Sequence, residues 1–128
     1  MNTNTRIKTR PIVVTSSQQL ESTLAALASE PAIAVDTESN SLYAYREQVC
    51  LIQISIPGAD YIVDPLAGLD LSPLAPIFAA SGTQKVFHAA EYDVMCLKRD
   101  FGFHFAIYSI RCGRRVFWAG PTWGWATC

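Results

Sequence analysis

Residues 32–56 read AIAVDTESNSLYAYREQVCLIQISI, and the fold turns on how this stretch divides. Residues 32–36 are an apolar run that ends in acid, the pattern of a buried central strand. Residues 49–56, VCLIQISI, make a second strand rich in branched residues, and residues 61–63, YIV, make a third. Between these two lies Pro57-Gly58-Ala59-Asp60, whose turn chemistry predicts an antiparallel hairpin.

Upstream, residues 12–14 are a short β-branched run. Thr15-Ser16-Ser17 then offers caps for a helix over roughly residues 18–29, where Leu20, Leu24 and Leu27 recur on one face until Pro31 stops it. Downstream, Ser72-Pro73 opens a short helix to about residue 80, because proline is tolerated in a first helical turn. Residues 85–88 form a further strand, and residues 89–99 a helix closed near Gly102. The order β-α-β-β-β-α-β-α mixes a hairpin with crossover helices. That is an α/β domain with a mixed sheet flanked by helices.

Bulk properties narrow the function. A chain of 128 residues has room for one ordinary domain, and with half its residues apolar and 16% charged it is expected to pack a core. The net charge of −1 gives no long-range attraction for nucleic acid, so a polyanion would have to be held locally, with metal ions neutralising it. Residues 1–10 are polar and predict a flexible arm. The opening MNTNTRIKTRPIVV has no apolar run fit for a signal peptide or membrane span, so a cytoplasmic protein without membrane association is expected. Cys50, Cys96, Cys112 and Cys128 show no CxxC spacing and no nearby histidine, which argues against zinc or a disulfide framework.

Two constellations carry chemistry. Asp36 and Glu38 lie two residues apart on or just past a strand end, so period-two geometry turns both carboxylates to one face. They repel unless a divalent cation lies between them, and Mg2+ favours such oxygen ligands. Alone the pair is a weak signal, because an acid at a strand end is more often a turn or cap residue. Residues 86–93, VFHAAEYD, place Asp93 at the start of a helix that follows an apolar strand. It would project from the sheet edge where ligand sites of α/β folds lie. Taken alone, it is more commonly a partner for the positive end of the helix dipole.

From Asp36 to Phe103 the chain resembles the DEDD-type 3′–5′ exonucleases, most of all those of the ribonuclease D type. The resemblance rests on AVDTESNSLYAYREQVCLIQIS, YIVDPLAGLDLSPLAPIF and KVFHAAEYDVMCLKRDFG, in family order and spacing. It implies a ribonuclease H-like fold and a phosphodiesterase using two Mg2+ or Mn2+ ions. By that analogy Asp36 would bridge both ions, Glu38 would hold the nucleophile-side ion, and Asp93 would help bind the leaving-group-side ion. The resemblance also implies that residues 37–42 meet the terminal nucleotide, with Thr37 among them and Leu42 against the base. Core packing is an equal account of Leu42. His88 would support the motif and the substrate site as a satisfied histidine, and is not assigned as a base. The partner implied is a nucleic acid 3′ end, RNA of tRNA-precursor type before DNA, with no stable protein partner.

The family's third motif, a helix with Tyr or His followed four residues later by a fourth metal-binding Asp, has no counterpart. Residues 106–128, AIYSIRCGRRVFWAGPTWGWATC, show no period of 2 or 3.6. A shift of one nucleotide from the last base of the Ala106 codon permits NLFDTMWAARILGWPNVGLGHL, which reads like the family's next segment. Residues 106–128 are therefore expected to be an aberrant, out-of-frame tail, residues 11–105 the N-terminal part of the exonuclease domain, and the domain incomplete at its C-terminus. The 128-residue chain itself would then be inactive. The alternative is a non-catalytic nucleic-acid-binding or interaction chain.

Overall fold

The computed structural model describes residues 10–40, 45–88, 91–106, 108–112 and 115–119. In chain order these form strand β1 (Ile12–Val14), helix α1 (Ser17–Ala28), and strands β2 (Ala32–Ser39), β3 (Val49–Ile56) and β4 (Ala59–Val63). A 3-10 turn (Ser72–Leu74) then leads into helix α2 (Ala75–Ala79). Strand β5 (Gln84–His88), helix α3 (Glu91–Phe101) and strands β6 (Tyr108–Cys112) and β7 (Arg115–Ala119) follow. All seven strands join one sheet in the order β1-β4-β3-β2-β5-β6-β7. β3 runs antiparallel to both β2 and β4, and β7 antiparallel to β6, whereas β1 pairs parallel with β4, β5 with β2, and β6 with β5. This is the mixed α/β sheet of a ribonuclease H-like fold.

Local chemistry explains most element ends. Ser16 caps α1: its hydroxyl accepts from the Gln19 amide, and the Gln19 side chain accepts from the Ser16 amide. That capping box satisfies donors the helix leaves free. The β3–β4 turn is tighter than predicted, because Ile56 pairs directly with Ala59 and leaves only Pro57 and Gly58 to reverse the chain. Proline presets the first of those positions, and Gly58 takes φ 84°, which glycine adopts without strain. The predicted helix over residues 72–80 instead splits in two. Pro73 and Pro76 each lack an amide donor, so the first turn tightens to 3-10 geometry before a short α-helix forms. Gly102, at φ 67°, ends α3 by donating its amide to the Lys98 carbonyl at 2.9 Å.

One core unites the helices with one face of the sheet. Ile33 and Val35 of β2, Ile52 and Ile54 of β3, Tyr61 and Val63 of β4 and Phe87 of β5 are buried with Leu20, Leu27, Leu74, Phe78, Val94 and Leu97 from the helical elements. Phe78 lies at its centre, with ring centroids 5.1 Å from Phe103 and 5.0 Å from Phe105. The alternate residues of β2, namely Ala34, Asp36 and Glu38, are exposed, as is Gln53 of β3. Two carboxylates so placed keep their hydration.

Two further expectations change. β2 continues to Ser39, so Asp36 and Glu38 lie inside the strand rather than at or past its end. After residue 105, where no period was found, β6 and β7 extend the sheet edge. Backbone pairing against β5 requires no alternation of side chains, which is why the sequence pattern gave no sign of it. The expected arm falls largely on residues 1–9, outside the described residues, as do residues 120–128 of the expected tail.

Candidate active site

Strand β2 sorts the first motif by alternation. Asp36 and Glu38 face the exposed side, and Thr37 between them turns to the helix-covered side. A register shift between Glu38 and Ser39 leaves Cys50 as the extra residue on β3, and the Cys50 thiol donates to the Glu38 carbonyl at 3.3 Å. Such a bulge increases local twist and re-aims the flanking side chains. On the exposed side a shallow depression is lined by Ala34, Asp36, Gln53, Ser55, Val86 and His88. His88 thus shares a surface with Asp36 from the C-terminal end of β5.

Asp93 arrives from the other direction. It sits in the first turn of α3, and its carboxylate accepts a hydrogen bond from the Thr37 hydroxyl. Burial pushes the Asp93 carboxyl above its ordinary range, the Thr37 bond opposes that shift, and the charges of Asp36 and Glu38 add to it. Asp93 thus lies with Thr37 on the helix-covered side of β2, whereas Asp36 and Glu38 face the other side, and their charges still oppose its ionisation. Among the described residues, however, no three His, Cys, Asp or Glu side chains meet as a metal-holding group. The donor set suits a hard divalent cation, being all carboxylate oxygen, and the negative charge felt at Asp93 is what such a cation would neutralise. Leu42 lies outside the described residues, so its expected contact with a base has no structural counterpart here.

A second set of polar residues, which no motif announces, lies beside these. Glu47 accepts from the Ser39 hydroxyl at 2.8 Å and from the Tyr92 hydroxyl, and its other oxygen lies 3.5 Å from Arg99 Nη1. Arg99 Nε in turn donates to Asp100 Oδ1 at 2.7 Å, and Asp100 Oδ2 accepts from the Val49 amide at 2.7 Å. The Tyr92 and Ser39 bonds hold the Glu47 carboxyl below its ordinary range, and the same bond to Glu47 raises the Tyr92 phenol to about 12. Tyr92 and Glu47 are 45 residues apart, and no motif links them in sequence.

The family model described as 3′-5′ exonuclease matches residues 11–110. Ribonuclease D of Jannaschia sp. (strain CCS1) is 39% identical over 89 residues, covering 66% of this chain and 23% of that protein. The exosome complex exonuclease RRP6 of Saccharomyces cerevisiae is 41% identical over 95 residues, covering 73% of this chain and 13% of that protein. The crystal structure of Escherichia coli RNase D, titled an exoribonuclease involved in structured RNA processing, superposes with a TM-score of 0.73 at 29% identity. The match covers 80% of this chain and 27% of that one. The chain thus spans less than a quarter of the length of both curated relatives.

Proposed function

This chain belongs to the 3′–5′ exonuclease family, and on that premise we propose that Asp36, Glu38 and Asp93 are the carboxylates of a site that hydrolyses phosphodiester bonds from nucleic acid 3′ ends. One observation carries the reading. The Thr37 hydroxyl bonds Asp93, which ties the second motif to the strand that carries Asp36 and Glu38 on its other face.

Enzymes of this family use divalent metal ions, and here Mg2+ or Mn2+ would be held by Asp36 and Glu38 with Asp93 beside them. A bound pair of such ions supplies an activated water and stabilises the departing 3′ oxygen. The chain's own residues do the holding. β2 fixes Asp36 and Glu38 on one rigid face, and Thr37 keeps Asp93 at the N-terminus of α3. His88 borders the depression beside Asp36, where it supports the binding surface. By the same reading residues 37–42 would meet the terminal nucleotide, with Leu42 against its base. RNA is favoured over DNA because the relatives include ribonuclease D and an exosome exonuclease.

Residues 106–128 contain no Asp or Glu, so they supply no fourth carboxylate. A two-ion site needs ligands on both ions, and the chain of 128 residues is accordingly assigned little or no turnover of its own. That no preassembled three-ligand group occurs among the described residues favours a second reading, a nucleic-acid-binding chain without catalysis. To separate the two, 3′-labelled RNA and DNA are incubated with a frame-restored protein and Mn2+ or Mg2+. Release of nucleoside monophosphates from the 3′ end is expected, faster from RNA. Stable binding without release from either polymer would overturn the exonuclease reading in favour of the second.

A further inference from the structure

Glu47 joins the chain neighbours of two of the three acids. Ser39, which donates to it, directly follows Glu38, and Tyr92, which also donates to it, directly precedes Asp93. Both hydroxyls reach the same carboxylate oxygen, Oε1, so a single atom spans the end of β2 and the first turn of α3. We propose that Glu47 is a positioning residue that sets the spacing between Glu38 and Asp93; the inference rests on the assignment of those acids to one site.

Three further contacts make this a brace rather than a lone surface pair. Arg99, two turns along α3, lies 3.5 Å from the second Glu47 oxygen. Asp100 accepts from the Val49 amide at the start of β3, which fastens the same helix to the other end of the β2–β3 connection. That connection is closed on itself, because the Asn40 amide donates to the Gln48 carbonyl at 3.2 Å and the Gln48 amide to the Asn40 side chain at 2.9 Å. Helix α3 is therefore tied near Asp93 and again near its C-terminus to the segment that leaves Glu38. An exposed ion pair alone contributes little. A carboxylate that accepts two hydroxyls from two elements instead fixes direction, as the outer partners of metal ligands do. Glu47 itself is directed to Ser39, Tyr92 and Arg99, so its oxygens orient ligands rather than hold an ion.

The test uses the 128-residue chain with Mn2+ as probe, followed by electron paramagnetic resonance and by amide hydrogen exchange. Glu47→Ala is expected to weaken Mn2+ binding about tenfold and to speed exchange both at residues 45–49 and at residues 91–94, while the β3–β4 hairpin keeps its protection. Glu47→Gln retains an oxygen that accepts from Ser39 and Tyr92, and is expected to stay near the unsubstituted chain. Tyr92→Phe removes one bond and leaves the carboxylate, so it gives the same readout at residues 91–94 if Glu47→Ala does not fold. Unchanged Mn2+ affinity in Glu47→Ala, or faster exchange confined to residues 45–49, overturns the proposal. An unsubstituted chain that binds no Mn2+ overturns the metal site itself, and exchange at residues 91–94 then decides the spacing role.

Discussion

The hydroxyl of Thr37 on β2 donates to the carboxylate of Asp93 on α3, joining two motifs that lie 56 residues apart. The bond favours the charged carboxylate, whereas burial and the neighbouring Asp36 and Glu38 disfavour it, and the net shift is upward. A raised carboxyl binds more protons folded than unfolded, so its contribution to stability falls as pH rises past the ordinary carboxylate range. Asp93→Asn is therefore expected to raise the thermal midpoint at pH 7, with the gain shrinking towards pH 4, while Mn2+ affinity drops about tenfold or more. Melting curves at the two pH values and a Mn2+ titration check both halves. A lower midpoint at pH 7 would show that the Thr37 bond outweighs the repulsion.

Catalysis is expected to follow the reading frame. A protein that carries NLFDTMWAARILGWPNVGLGHL from residue 107 onward and reads on in frame through the third motif should release nucleoside monophosphates from RNA at least about a hundredfold faster than the 128-residue chain, since positioned acid–base groups alone contribute about that much. Both proteins are assayed side by side with Mn2+. Equal rates would mean that the fourth carboxylate is dispensable.

Lys85 is fully buried on the core face of β5, where its ammonium donates to the carbonyls of Ala80 at 2.7 Å and Thr83 at 2.6 Å. Burial lowers its pKa from 10.5 to about 8. The folded chain then binds fewer protons than the unfolded chain between those values, so this residue's contribution to stability rises as pH climbs from about 8 to 10.5. The rise is on the order of 1–3 kcal/mol. Denaturant melts of the unsubstituted chain and Lys85→Met at pH 7.5 and pH 10 should differ in slope against pH, with the substituted chain flatter. Parallel slopes would place the ammonium in contact with water.

Ser16→Ala removes the hydroxyl that caps α1 and breaks the reciprocal bond with Gln19. A loss of about 1 kcal/mol is expected, read as a shifted urea midpoint with an unchanged m-value. Because Leu20 and Leu27 anchor the same helix in the core, the fold itself should survive.

Much of the strand order was legible because it rests on local signals. The β-branched runs, Pro57-Gly58 and Gly102 each act within a few residues, and VCLIQISI occupies the predicted strand from Val49 to Ile56. The pairing of Asp36 with Glu38 on one face was legible for the same reason, since alternation along a strand is a local rule. What joins Asp93 to them was not. The Thr37 bond, the Glu47 brace and the buried Lys85 each depend on residues brought together only after the helices pack, and no spacing in the chain encodes those meetings. β6 and β7 escaped notice for a different reason, since they pair through backbone atoms in a stretch whose side chains carry no period.

β1 precedes β4 in the chain, yet β4 is its ladder partner: Ile12 pairs with Tyr61 and Val14 with Val63. On a ribosome the Ile12-Val13-Val14 run emerges with no template to pair with. β3 and β4 must first close through their two-residue turn, a step of about 1–10 μs once both are free, and only then does the outer edge of β4 exist. Closing the long intervening loop costs chain entropy before any contact is gained. With Ile12 45% and Val13 51% exposed even after pairing, only Val14 of the strand enters the core at the end of that wait. Among the described strands, β1 thus docks on a template that the chain makes only after it.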